Sequence, residues 1–157
     1  MPRRKRKLKR REIEPDIKYN SILAAKFINN IMWDGKKTIA QKIFYEALEI
    51  IEKKTEEDGF VVFERAINNV KPMIEVRPRR VGGATYQVPV EINPNRRTSL
   101  AVKWIIKYAR MRNEYRMAEK LAAELIDAPR NQGSSIKRKE EVHKMAEANR
   151  AFAHFGW

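Results

Sequence analysis

The stretch at 75–92, EVRPRRVGGATYQVPVEI, places one proline in each of two alternating arms around a glycine pair. Neither arm can be a central strand, because proline has no N–H to give to a neighbour. The stretch is therefore confined to a hairpin, and its register can be checked by parity. With Gly82 and Gly83 as a two-residue turn, Val81 faces Ala84, Arg79 faces Tyr86 and Arg77 faces Val88 in the hydrogen-bonded pairs. Pro78 opposite Gln87, and Pro89 opposite Val76, then fall in the alternate class, where a missing N–H costs the ladder nothing. This register puts Arg77, Arg79 and Tyr86 on one face and Arg80 and Gln87 on the other. Ile74, Val76, Val90 and Ile92 gather at the base. The base can dock on other elements and the tip cannot. Three clustered arginines on a marginal two-stranded ribbon repel one another unless phosphates surround them. The bland alternative is a surface hairpin charged for solubility, but such protective charge is usually lysine and mixed in sign.

Everywhere else the apolar period is helical. SILAAKFINNIM sets Ile22, Phe27, Ile28 and Ile31 near one face before DGKK at 34–37 breaks the helix. Thr38 can cap a second helix whose stripe is Ile39, Ile43, Phe44, Ala47, Leu48 and Ile51, with Lys42, Glu46, Glu49 and Lys53 outside it. Asp58 caps a third, carrying Phe60, Phe63, Ile67 and Val70, and Pro72 forbids its continuation. A fourth has two apolar faces, 102, 105, 106 and 109 against 101, 104 and 108, so it belongs at the centre with Lys103, Lys107 and Arg110 on a narrow wet edge. Ala118, Leu121, Ala122 and Leu125 mark a fifth that ends before Pro129. A sixth starts at Ser134 or Ser135 and carries Val142, Met145, Ala146 and Asn149 on one face. The expectation is a mainly α, six-helix bundle-like domain with one protruding two-stranded antiparallel hairpin at about 73–92.

At 157 residues and 43% hydrophobic, the chain suffices for one such domain, spanning 12–157. No run approaches the roughly 20 apolar residues of a membrane span, and no apolar leader opens the sequence, so a soluble intracellular protein is expected. The absence of cysteine excludes disulfides and thiolate metal sites. Net charge is +14, and it is zoned. Residues 1–11 hold eight cations and no acid, while 12–70 are slightly acidic and 71–157 are basic again. The opening cations, Arg3, Arg4, Lys5, Arg6, Lys7, Lys9, Arg10 and Arg11, surround one leucine, have nothing to bury, and form a mobile arm until bound.

Other candidate contacts to a polyanion agree with the arm and the ribbon. Lys36 and Lys37 follow the first turn. Arg96 and Arg97 are placed just before a helix N-terminus, where the macrodipole disfavours cations unless an anion sits between. KYARMRNEYR brings Lys107, Arg110, Arg112 and Arg116 together with Tyr108 and Tyr115, offering guanidinium forks and stacking faces. Lys137, Arg138 and Lys139 sit in the first turn of the last helix, and Lys103 adds to the fourth helix's edge.

Three segments, FINNIMWDGKK at 27–37, VKPMIEVRPRRVGGATYQVPVEI at 70–92 and KMAEANRAFAHFGW at 144–157, resemble the bacterial-type family of ribosomal protein seven of the small subunit. The likeness runs from about residue 12 to the C-terminus. It implies a six-helix domain with a protruding β-ribbon that binds the 3′ major domain of small-subunit ribosomal RNA and helps nucleate assembly of the subunit head. It also implies that the ribbon, Arg77 to Gln87, lies near exit-site transfer RNA and the messenger path. The expected setting is the cytoplasmic ribosome, with neighbouring small-subunit proteins as partners. Pro78 departs from the small or polar residue usual there, which the register tolerates.

Enzymatic readings lack their parts. There is no cysteine nucleophile, and His143 and His154 lack the context of a serine triad. Glu140 and His143 form one Glu-x-x-His, but a carboxylate di-metal bundle needs two, and the residue three before His154 is alanine. His143 is read as an exposed helical histidine. No metal, cofactor or small-molecule substrate is expected. The rival class is a DNA architectural protein, since helices with a basic, proline-bearing ribbon also describe minor-groove bending proteins. Those act as dimers, and no exposed dimer seam is legible here, so a monomer is expected. A membrane-surface role would need a basic helix with an apolar insertion face, which the arm lacks.

Overall fold

The computed structural model describes residues 12–156. Three helices come first: α1 (Ile22–Ile31), α2 (Lys37–Thr55) and α3 (Gly59–Val70). An antiparallel pair, β1 (Ile74–Val81) and β2 (Ala84–Glu91), follows, and α4 (Pro94–Arg110), α5 (Met117–Asp127) and α6 (Ser134–Ala148) complete the bundle. Short 3-10 turns occupy Ala128–Arg130 and Arg150–Phe155. No helix among the described residues is long and apolar enough to cross a membrane.

The hairpin register is the one parity demands: Val81 pairs with Ala84, Arg79 with Tyr86, Pro78 with Gln87, Arg77 with Val88 and Val76 with Pro89. Gly82 and Gly83 have φ of +58° and +89°, the left-handed values a two-residue primed turn needs. Space around both is open, so conformation alone selects glycine there.

The core is one cluster centred on α2, α3, α4 and α5. Phe27, Phe44 and Phe63, all fully buried, meet edge-on or tilted with centroids 5.0–5.5 Å apart. Tyr19 stacks on Phe60 at 4.7 Å and extends this cluster toward the N-terminus. Asp16 holds that approach. Its carboxylate accepts from the backbone N–H groups of Lys18 and Tyr19, both at 3.1 Å, and from the Tyr45 hydroxyl at 2.7 Å. α3 begins against α2 so closely that a methyl at Gly59 would lie 2.5 Å from the Leu48 carbonyl oxygen. As predicted, Asp58 caps α3, accepting from the Phe60 N–H at 2.8 Å.

Several expected positions differ. Ile22 is 53% exposed, because at 100° per residue it lies opposite Ile31, and Ala24 and Ala25 take the buried places. Ile39 is 54% exposed and Ala40 is buried in its stead. Thr38 does not cap α2. The cap position is Lys36, and no side chain caps that end. Met145 is 43% exposed beside buried Val142 and Ala146. At the ribbon's base Ile92 is buried as expected, but Ile74 is exposed, and Val88 is the fully buried strand residue. The cause is the C-terminal segment: Phe152 and Phe155 each lie 5.2 Å from the Tyr86 ring, covering the face that Val88 shares.

Candidate nucleic-acid interface

The cations divide by what faces them. At the tip of the ribbon Arg80 is exposed and Arg79 half-buried, and neither has a carboxylate partner among the described residues. Arg77 is different. Its Nε donates to Glu75 at 2.6 Å, and the same carboxylate takes Arg96 at 2.9 Å. Burial pushes the Glu75 carboxyl pKa up, but the hydrogen bonds from Arg96 and Arg77 outweigh it, leaving the pKa below the ordinary carboxylate range. Glu75 thus ties β1 to the start of α4.

This corrects the expectation for Arg96 and Arg97. They lie inside the first turn of α4, which starts at Pro94 with Asn93 as its cap, and the anion beside Arg96 belongs to the protein. Arg97 donates to the Ile92 carbonyl at 2.8 Å. Half of the Arg77 and Arg96 side-chain surface still meets solvent. Tyr86 also departs from its expected use: its ring packs on Phe152 and Phe155 and anchors the chain's end to the ribbon.

The interhelical turn is likewise split. Arg112 donates to Glu114 at 3.1 Å, to Glu124 at 2.8 Å and to Asp127 at 2.9 Å. Burial would lower the Arg112 pKa, but these three carboxylates hold it above its usual value. Fully buried Glu124 also accepts from the backbone N–H of Ser135 at 3.0 Å and from its hydroxyl at 2.5 Å. Arg112 is therefore the keystone joining the α4–α5 turn, α5 and the start of α6, and not a free guanidinium. Arg116 pairs with Glu46 at 3.0 Å on the surface. Tyr115 is 96% exposed.

On α4, Lys103 and Lys107 are exposed with no acid partner among the described residues, and the Lys107 ammonium lies 5.8 Å from the Tyr108 ring. Arg110 donates to the Ile31 carbonyl at 3.2 Å and lies over the Trp33 ring at 4.9 Å. Lys36 and Lys37 are exposed just past Asp34 and Gly35, both in left-handed conformations. In α6, Lys137 is exposed, Arg138 pairs with Glu141 at 3.1 Å, and Lys139 donates to the Asn69 carbonyl at 2.6 Å. Arg138 lines a groove with Gln87, Val76, Leu100 and Trp104, which places it beside the ribbon. Residues 3–11 lie outside the described residues.

Two basic regions without acid partners among the described residues thus remain, the ribbon tip with Arg79 and Arg80, and a strip along α4 that reaches the α1–α2 turn. Guanidinium and ammonium groups held on a rigid frame without acids between them suit the phosphates of a nucleic acid. The sequence reading missed Trp33, a large apolar side chain left 66% exposed within that strip. Its signal is a tryptophan off the apolar face of α1 and immediately before an Asp-Gly turn. His143, expected to be exposed, is half-buried, and its Nε2 accepts from the Met73 N–H at 3.1 Å.

Comparison with known proteins gives the same direction along the whole chain. The family model described as ribosomal protein S7p/S5e matches residues 2–150. The small ribosomal subunit protein uS7 of Caldanaerobacter subterraneus subsp. tengcongensis is 60% identical over 157 residues, covering both chains completely. Its counterpart from Thermodesulfovibrio yellowstonii is 61% identical over the same span, and that from Thermotoga neapolitana 58% over 154 residues, 98% of this chain and 99% of its own. A six-helix frame, a basic ribbon and a full-length match at this identity have one consequence: the chain belongs to the ribosomal protein S7p/S5e family.

Proposed function

We propose that the chain is a structural, non-enzymatic constituent of the small subunit of the cytoplasmic ribosome, and that it binds ribosomal RNA. The observation that carries this reading is the full-length identity of about 60% to proteins named for the small ribosomal subunit. Arg79, Arg80, Lys103 and Lys107, unpaired among the described residues, support it, since cations so placed repel one another until phosphate neutralises them. The 3′ major domain is the RNA target in this reading, and binding there nucleates assembly of the subunit head. The ribbon reaches toward exit-site transfer RNA and the messenger path, other small-subunit proteins adjoin the bundle, and residues 1–11 act as an arm that orders on RNA. The free chain is a monomer.

The test is binding of the purified chain to small-subunit ribosomal RNA fragments and to duplex DNA of equal length, at two salt concentrations. One 3′ major-domain fragment should win by orders of magnitude, and the preference should survive at the higher salt. Equal binding to RNA and DNA that fades steeply with salt, from a symmetric dimer that bends the duplex, would instead favour the architectural class.

A further inference from the structure

Trp33 is two-thirds exposed, yet it is not loose. Arg110 lies over its ring at 4.9 Å and is itself held by the Ile31 carbonyl, while the Trp33 carbonyl accepts from the Lys36 N–H at 2.9 Å. The indole forms one wall of a groove of about 240 Å³ whose other walls include Met32, Ile39, Ile43 and Met117. Among the described residues, the only charged ones lining it are Lys36 and Arg110. A second groove also lined by Arg110 lies between Asn30 of α1, Lys103 and Lys107 of α4 and Met111 just past its end, and among the described residues no acid lines that one either.

We infer that Trp33 is a base-stacking platform: an unpaired nucleobase of RNA inserts beside the indole into the apolar groove, and its flanking phosphates lie on Lys36, Arg110, Lys103 and Lys107. This rests on the RNA-binding reading above and adds a residue that no charge argument finds. The occupant follows from charge complementarity. An apolar peptide segment covering these grooves would bury four cations, Lys36, Arg110, Lys103 and Lys107, without a carboxylate partner, which is costly. A nucleotide brings both a flat apolar face for the indole and an anion for each cation. Asp34, the carboxylate nearest in sequence, lies in the turn and does not line either groove. The exposed cost of leaving Trp33 in water is thereby explained as the cost of a preformed site.

The experiment uses the full chain with Trp104→Phe and Trp157→Phe, so that Trp33 is the sole tryptophan. A single-stranded oligonucleotide should quench its fluorescence, whereas heparin, equally anionic but without bases, should bind and leave it nearly unchanged. Quenching by both, or by neither, overturns the platform. In the otherwise native chain, Trp33→Ala should weaken binding of the 3′ major-domain fragment roughly 5- to 100-fold, the loss of about one stacked base. The salt slope should stay as it was, since stacking releases no counterions. Trp33→Phe should recover most of the affinity. Trp33→Ala binding like the wild type sinks the platform while the RNA reading stands. A wild-type chain with no preference for the fragment sinks both. Because Trp33 is exposed, an unchanged Tm is expected in both variants and separates lost stacking from lost fold.

Discussion

Arg112 and Arg79 both belong to basic stretches, and only Glu114, two positions past Arg112, separates them locally. Three carboxylates within 3.1 Å make the first structural, whereas the second has none among the described residues. Arg112→Ala strips buried Glu124 of its counter-charge, so unfolding in urea should show a loss of about 3–5 kcal/mol. Arg79→Ala should stay within about 0.5 kcal/mol, because a half-buried cation with no carboxylate partner leaves no buried charge uncompensated when it is removed. Equal effects would mean that the buried cluster is not the keystone described. The distinction was invisible in the sequence because Glu124 and Asp127 lie 12 and 15 positions from Arg112 and reach it only through the packing of α5. His143 makes a second residue-scale case. Burial first, and the Lys139 charge second, lower its pKa, and only its neutral form can accept from the Met73 N–H. A base with a depressed folded pKa contributes its full stability above the unfolded value of about 6.5, and loses it as pH falls below that toward the folded value. Glu91, Glu147 and Arg150 line the same groove and set the local field. Stability should therefore decline below about pH 6.5, and His143→Gln, which keeps an acceptor but cannot charge, should flatten that decline.

At the scale of elements, periodicity and parity were sufficient for each helix and for the whole hairpin register, because both are local rules that a chain must satisfy wherever it sits. Phase within a helix was read less well. Hydrophobicity alone favours Ile22 and Ile39 for the buried stripes, whereas the helical angles put Ala24 and Ala40 inside. The docking of one element on another was not legible at all, as the burial of Val88 beneath the C-terminal aromatics illustrates. The Glu75 tether between β1 and α4 is the element-scale device with a measurable signature. Its folded pKa is depressed, so the stabilisation is complete above the unfolded value of about 4.3 and is lost as pH falls through the folded value. Amide exchange at Ile74–Arg77 should accelerate in that acid range, and Glu75→Gln should show the faster exchange already at neutral pH. Glu114 is also lowered, first by its own backbone amide and then by Arg112, so the global acid midpoint mixes two groups. Strand-resolved exchange separates them, and an unchanged rate in Glu75→Gln would show that the ribbon is held by packing alone.

Across the whole molecule, the sequence located the charge and the structure decided which of it is free. Zoning was legible because charge is a sum, while pairing depends on tertiary neighbours, so Arg77, Arg96, Arg112 and Lys139 turned out to hold the fold together. The remaining cations, with the eight in residues 1–11, set the electrostatic part of RNA affinity. Each phosphate neutralised steepens the dependence of log K on log salt by roughly 0.7–0.9, so removing residues 1–11 can flatten the slope by at most about 6–7. A change near that limit would mean that nearly every arm cation meets a phosphate, and a change of one or two would mean a tether with most of its charge still in solvent. No change would remove the arm from the interface altogether. The same titration on Arg79→Ala with Arg80→Ala should lower the slope by no more than about two, since only two charges are deleted. If the ribbon and the arm engage one RNA independently, the slope losses add in the combined variant. A combined loss smaller than the sum, with the ribbon variant alone losing more than its own two charges, would show that residues 1–11 engage RNA only when the ribbon is already seated, which makes the two basic zones one cooperative clamp.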